Sequence, residues 1–287
     1  MSKAVSAARW SVLMAAVLFG TGGAAIKGTT LAPVQVAGFR SSVAAIAMLL
    51  LLPAARRGFG RDLLPGALAY AMTLVSFVTA TKLTTSGAAI FLQSTAPLWV
   101  VVLSPMLLGE RFERRDLRYL GAAALGLVLV FLGSQSAVAT APNPQLGNVI
   151  ALGSGLSFAL LLIAFRHLSR VDQAHDRSIP AAMLGNLIAF VVCMPFALPV
   201  ASVSTHDVIA IGYLGVVQVG MSYWFLSRGL RVLPALEASM LLLLEPVLNP
   251  VWTWLLHGER PSALAIVGGA LLLTVLVVRA LRTPANA

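Results

Sequence analysis

Charge is scarce in this chain. Only 10% of its 287 residues are Asp, Glu, Lys or Arg, against about 25% in ordinary soluble domains. That is too little polar surface to coat a water-soluble globule. Cysteine is scarcer still: Cys193 stands alone in an apolar run, which excludes an internal disulfide and says nothing about redox compartment. The four histidines, His167, His175, His206 and His257, fall at the ends of apolar stretches or in spacers, and no HExxH or paired acidic cluster occurs within a stretch. No metal site or cofactor is expected from such a pattern. Long polar linkers are missing too. The longest spacers are "SQSAVATAPNPQ" (134–145) and "RVDQAHDRS" (170–178), too short for a soluble domain.

What is present is hydrocarbon. Hydrophobic residues make up 59% of the chain, and the mean hydropathy is +0.90. The spacers divide the sequence into ten apolar segments, at 10–28, 33–53, 62–82, 85–108, 116–134, 147–168, 179–200, 207–228, 233–256 and 261–281. Most approach the roughly 20 residues with which a helix crosses about 30 Å of hydrocarbon. The expectation is an all-α polytopic membrane protein with ten transmembrane helices and a lipid bilayer as its solvent. A net charge of +10 would suggest nucleic acid in a soluble protein. Here no basic helix or stacking motif accompanies it, so no nucleic-acid partner is expected. Lys3 and Arg9 before the run from Trp10 to Ile26 resemble a secretory signal, but the repeat described next needs that run as a permanent helix.

"APLWVVVLSPMLLGER" (96–111) and "EPVLNPVWTWLLHGER" (245–260) align without a gap, Pro97 on Pro246 and Gly109 on Gly258, at an offset of 149 residues. The same offset carries Gly66 to Gly215 and Lys82 to Arg231. Each half, 10–134 and 147–281, then holds five helices, with 135–146 as the link between them. An odd number of crossings inverts the second copy, the arrangement of many secondary transporters. Orientation follows from the 20 Lys and Arg: sixteen fall on one side, three (Lys27, Lys82 and Arg260) on the other, and Arg40 lies within a segment. The excess marks the cytoplasmic side, placing both termini on the cytoplasmic side of the membrane.

The stretches "TKLTTSGAAIFLQSTAPLWVVVLSPMLLGERFERRDLRYLGAAALGLVLVFLG" and "RGLRVLPALEASMLLLLEPVLNPVWTWLLHGERPSALAIVGGALLLTVLVV" resemble the two EamA-type repeats of the drug/metabolite transporter superfamily. The Arg of "GFRSSVAAIAMLLLL" (38–52) is similar to that family's Arg at the start of the second helix. The resemblance implies a ten-helix fold around a central cavity, with the fifth and tenth helices at the periphery. Bacterial exporters of amino acids, aromatic ones included, are the nearest functional analogue it offers; exporters of drugs or other metabolites use the same scaffold. The family's usual tyrosine near the end of the third helix is absent from "FVTATKL", so substrate details tied to it do not carry over. A small-molecule substrate, protons as a coupling ion, and a monomer or weak homodimer complete the expectation.

Candidate site residues are the polar groups at membrane depth. Glu245 lies about 11 residues into its helix, roughly 16 Å deep, where a carboxylate costs about 2.5–3.5 kcal/mol on insertion scales. Two roles fit it: one half of a fixed ion pair, with Arg40 as partner, or contact with substrate or proton. Pro97 and Pro246 each remove a helix donor and mark breaks in corresponding helices. Arg40, roughly 10 Å deep, either snorkels to the surface or meets a carboxylate. Gln93, one turn before Pro97, and the face Gln218, Ser222 and Phe225 are candidate cavity groups, with Tyr70, Tyr223, Trp99 and Trp224 as candidate aromatic lining. Asn186 reads as a glue between helices, and Lys27 and Lys82 as interface anchors. The alternative to a carrier is an intramembrane serine hydrolase built on Ser157 of "GLSFA" (155–159), which would need an adjacent base.

Overall fold

The computed structural model describes residues 3–110, 112–133, 141–171, 176–200, 202–257 and 262–282. Among these residues every regular element is helical: α1 (Lys3–Gly20), α2 (Gly22–Gly28), α3 (Pro33–Leu51), α4 (Leu64–Leu83), α5 (Ser86–Gln93), α6 (Ala96–Leu108), α7 (Arg114–Gly133), α8 (Pro144–Val171), α9 (Ser178–Ala197), α10 (Thr205–Tyr213), α11 (Ser222–Leu230), α12 (Ala235–Leu241), α13 (Leu244–His257) and α14 (Ala263–Arg282), with short 3-10 turns before and after the spacer at 57–60. A π-helical stretch, Leu214–Met221, joins α10 to α11. By length and composition, seven of the helical stretches could cross a membrane: Lys3–Gly28, Pro33–Leu51, Arg61–Leu83, Ser86–Leu108, Pro144–Val171, Ser178–Ala197 and Thr205–Leu230.

Burial is inverted relative to a soluble protein. Trp10, Leu51, Met106 and Phe196 stand exposed on the outer surface, while Arg9, Arg40, Gln93, Asn186, Gln218, Glu237 and Glu245 are buried. That distribution suits a hydrocarbon solvent, in which polar side chains turn toward the bundle interior.

Two helices break at corresponding places. α5 and α6 are parted at Ser94–Thr95, α12 and α13 at Leu242–Leu243, and adding 149 to the bounds of α5 and α6 reproduces those of α12 and α13 to within a residue. Pro97 and Pro246 sit in the first turn of the second half-helix in each case, where the missing N–H costs nothing because that donor has no intrahelical partner. The packing also reads the same when the halves are exchanged: α4 lies along α8 as α11 lies along α1, α3 pairs with α9, and α7 with α14. The last pair meets through glycine. A Cβ on Gly268 would stand 2.6 Å from the carbonyl oxygen of Gly126, so neither backbone could approach so closely with a side chain in between.

Ion pairs tie helix ends together. Arg9 of α1 bonds Glu237 of α12 at 2.7 Å, both buried. Glu110, the glutamate of the first "GER", accepts from Arg166 at 2.9 Å and from the backbone N–H of Ala235 at 3.0 Å, clamping α8 and the start of α12. Glu259, the residue at the offset of 149 from Glu110, lies outside the described residues, as do Arg260 and half of the linker. Elsewhere Lys27 donates to the Thr84 carbonyl (2.8 Å), Lys82 to the Thr29 carbonyl (2.6 Å), and Thr30 bonds Asp207 through both its N–H and its hydroxyl. Both lysines are therefore cross-ties between helices as well as residues of the helix ends.

Candidate functional site

The discontinuities converge on one cavity. Its wall takes Phe19 near the end of α1, Arg40 from α3, Thr73, Leu74 and Phe77 from α4, Gln93 at the end of α5, Phe158 from α8, Gln218 and Val219 from the π stretch, Tyr223 from α11 and Glu245 from α13. The break between α12 and α13 makes Glu245 a first-turn residue of its half-helix, where the aligned peptide dipoles favour negative charge by about 0.3–1 kcal/mol. The cavity holds about 20 Å³, enough for roughly one water molecule. A smaller space of about 10 Å³ adjoins it, sharing Gln93, Phe158 and Glu245 and reaching Pro97 and Ser239.

Arg40 does not snorkel. The residue is 1% exposed; its guanidinium donates from Nη2 to the Leu74 carbonyl (3.1 Å) and from Nη1 to Gln218 Oε1 (3.3 Å), and leaves Nε without a partner. Gln218 is wedged between Arg40 and the break that separates α1 from α2: a Cβ on Gly22 would come within 2.6 Å of its amide nitrogen. Glycine at 22 is therefore a condition for the glutamine's position. Gln93 donates to Ser154 Oγ at 2.8 Å, and Ser154 in turn to the Thr73 carbonyl. Glu245 is 7% exposed and makes no side-chain hydrogen bond or ion pair among the described residues; it and Arg40 face the same cavity without pairing. The Tyr223 hydroxyl is likewise without a bond there. The fixed pair that the sequence allowed between Glu245 and Arg40 is not made in this structure.

Five of the sequence candidates, Glu245, Gln93, Gln218, Arg40 and Tyr223, thus stand around one cavity, while Tyr70, Ser222, Trp224, Phe225 and Trp99 do not line it. Tyr70 is buried one layer behind, its hydroxyl accepting from Asn186 at 2.8 Å and its ring 4.3 Å from that of Tyr223. Ser222 turns its hydroxyl to the Val217 carbonyl. Trp224 packs on Phe225 and under the Arg228 guanidinium, 4.8 Å from the ring centroid. For Ser222 the physical reason is the π stretch. In an α-helix Ser222, four residues on, shares the face of Gln218; across a π turn, with i→i+5 bonding, Tyr223 shares it instead. No period in the sequence announces that change. Asn186 bridges α9 and α4 as glue. Ser157 donates to the Ser154 carbonyl at 3.0 Å within its own helix, and no histidine bonds it among the described residues.

The offset of 149 that relates the two breaks does not relate the groups of the lining. At the offset of 149, Glu245 corresponds to Ala96, Gln93 to Leu242, and Gln218 to Ala69. The breaks are shared by the halves, but each polar group is supplied once. The cavity so built carries a guanidinium and a carboxyl group at different points of its wall.

Comparison with known proteins agrees with this architecture. Residues 7–132 and 145–279 match the EamA-like transporter family. A protein named as an uncharacterized transporter from Archaeoglobus fulgidus is 27% identical over 235 residues, 80% of this chain and 81% of its own. The pseudopaline exporter CntI of Pseudomonas aeruginosa is 25% identical over 257 residues, 86% of each chain. One solved crystal structure superposes with a TM-score of 0.76 at 18% identity, covering 97% of this chain and 99% of the other, a likeness of fold.

Proposed function

The chain belongs to the EamA-like transporter family, and on that premise we propose that it exports a small zwitterionic metabolite, an amino acid first of all, across a bacterial cytoplasmic membrane. The observation that carries this reading is the set of groups around one cavity: Arg40, whose Nε has no partner, the Glu245 carboxylate and the Tyr223 hydroxyl. Buried polar groups are ordinarily satisfied. Here a carboxylate on the ligand would meet Arg40 and an ammonium group would meet Glu245. One buried arginine is too little cationic charge for a phosphate dianion, which is usually held by several Lys or Arg donors. The relative named as an exporter supports the outward direction. Glu245 also suits proton uptake when no ammonium is bound, which would couple export to proton entry.

Alternating access belongs to the same reading. At about 20 Å³ it admits no amino acid, so substrate enters when one set of ties opens. Opening on the side of α12 requires release of Arg9–Glu237 and of Glu110 from Ala235; opening on the other requires release of Lys27, Lys82 and Thr30. Counterflow in liposomes tests the substrate. Purified protein should exchange a labelled amino acid saturably, and preference for a phosphorylated compound over every amino acid tried would overturn the reading.

The topology belongs to the same proposal: ten crossings in two inverted halves, 10–134 and 147–281, with both termini cytoplasmic. The paired breaks at an offset of 149 and the sixteen-to-three charge asymmetry support it. Ser136 and Asp172, both outside the described residues, report it directly. In a Cys193→Ser background, a cysteine at 136 should react with an impermeant reagent from outside and one at 172 only from inside. Reaction of both from the same side would sink the arrangement.

A further inference from the structure

A second and larger space, about 200 Å³, opens between the broken helix α5–α6 and α7. Its walls are apolar, with Phe91, Leu98, Leu120, Leu127 and Val128 prominent, and its inner end is formed by Ser94, Pro97 and Leu243. Those three residues also line the small space that reaches Gln93 and Glu245. The crevice and the polar cavity are thus divided by the two helix breaks themselves. At the mouth, Leu98 is 47% and Val128 41% exposed, on the surface that a membrane-embedded transporter turns to lipid. The break at Ser94–Thr95 falls about nine residues into the Ser86–Leu108 stretch, roughly 13 Å along it, the depth of acyl chains rather than headgroups.

The chemistry of the walls selects the occupant. The two hydroxyls in the crevice are both committed to their own helix, Ser94 to the Ile90 carbonyl and Thr95 to the Leu92 carbonyl, each at 2.7 Å. A water needs two to four polar partners, and apolar cavities of about 150 Å³ stay dry and take up benzene. We propose that this crevice holds one acyl chain of a membrane lipid, seated against both helix breaks. A chain in that place keeps α7 from closing on Ser94 and Pro97, so its length and shape act on the hinge beside Glu245. The inference rests on the chain's place in the membrane and is independent of the substrate named above.

The test is photolabelling of the full chain in phosphatidylethanolamine–phosphatidylglycerol liposomes doped with a phospholipid carrying a diazirine in mid-chain. Adducts should concentrate on residues 91–98 and 120–128, several-fold above those on Val191 and Val192, which are comparably exposed on α9. Ala124→Phe, which fills the crevice, should lower labelling there several-fold and leave α9 unchanged; the smaller Ala124→Leu serves if the first variant does not fold. Labelling no higher than on α9, or unmoved by filling, overturns the proposal. So does labelling that saturating amino acid displaces, which would assign the crevice to the substrate's apolar end. Because the readout needs no transport, it stands or falls apart from the export assay.

Discussion

Glu245→Gln should depress transport by about tenfold or more while leaving the fold intact. A tenfold loss corresponds to about 1.4 kcal/mol in the transporting state, less than a charged hydrogen bond to an ammonium group contributes, about 1.5–3 kcal/mol. The stability side follows from what the carboxylate lacks. It is buried, yet bonds nothing among the described residues, so its removal orphans no partner. The amide loses the helix-dipole term of about 0.3–1 kcal/mol and is relieved of a larger cost, about 2.5–3.5 kcal/mol for a charge near the membrane centre. Thermal stability of the purified variant should equal or exceed the parent's. The double variant Glu245→Gln, Arg40→Gln separates mechanism from scaffold. With no ion pair between these residues, their stability effects should add to within about 0.5 kcal/mol. Full counterflow by Glu245→Gln, or destabilisation by each single change with recovery in the double, would move Glu245 into the scaffold.

The largest effect on stability is expected at Arg9 and Glu237. Their side chains are 7% and 9% exposed and meet at 2.7 Å. Removing the arginine leaves the Glu237 carboxylate buried without its counter-charge, at a cost of about 3–5 kcal/mol. Arg9→Met and Glu237→Leu should each lower the unfolding temperature in detergent sharply. The combined variant should regain most of the loss, because a buried pair replaced by apolar side chains is often neutral. Asp62 with Arg177 is the internal control: the carboxylate there is 51% exposed, and Asp62→Asn should cost no more than about 1 kcal/mol. An Arg9→Met protein as stable as the parent, or equal losses at both pairs, would contradict this assignment of energies.

Composition alone determined the solvent. With so few charges and so much hydrocarbon, no arrangement of this chain could hide its apolar surface from water, and helices satisfy their own backbone in lipid. The offset of 149 placed the two breaks, because proline acts on its own helix whatever surrounds it; the discontinuities at 94–95 and 242–243 stand one turn or less before Pro97 and Pro246. The same local logic gathered Glu245, Gln93, Gln218 and Arg40, since a polar group at membrane depth has few places to go except inward.

What side chains meet was decided only by packing. Arg40 could reach the surface by its length; the carbonyl of Leu74 and the amide of Gln218 turn it inward. Tyr223 takes the place on the cavity that helical periodicity assigns to Ser222 because the chain is π-helical from Leu214 to Met221. Gly215 lies within that stretch, so close to α3 that a Cβ there would stand 2.6 Å from Val43. Contact between distant segments, 40–43 against 215, accompanies the altered turn, and no window of sequence contains both. Arg9 and Glu237 are 228 residues apart in the sequence; they become a buried pair when α1 and α12 are laid side by side. Hydropathy and proline act along one helix and can be read there. The rotation of each helix about its axis, which selects the side chains that face the cavity, is set by its neighbours.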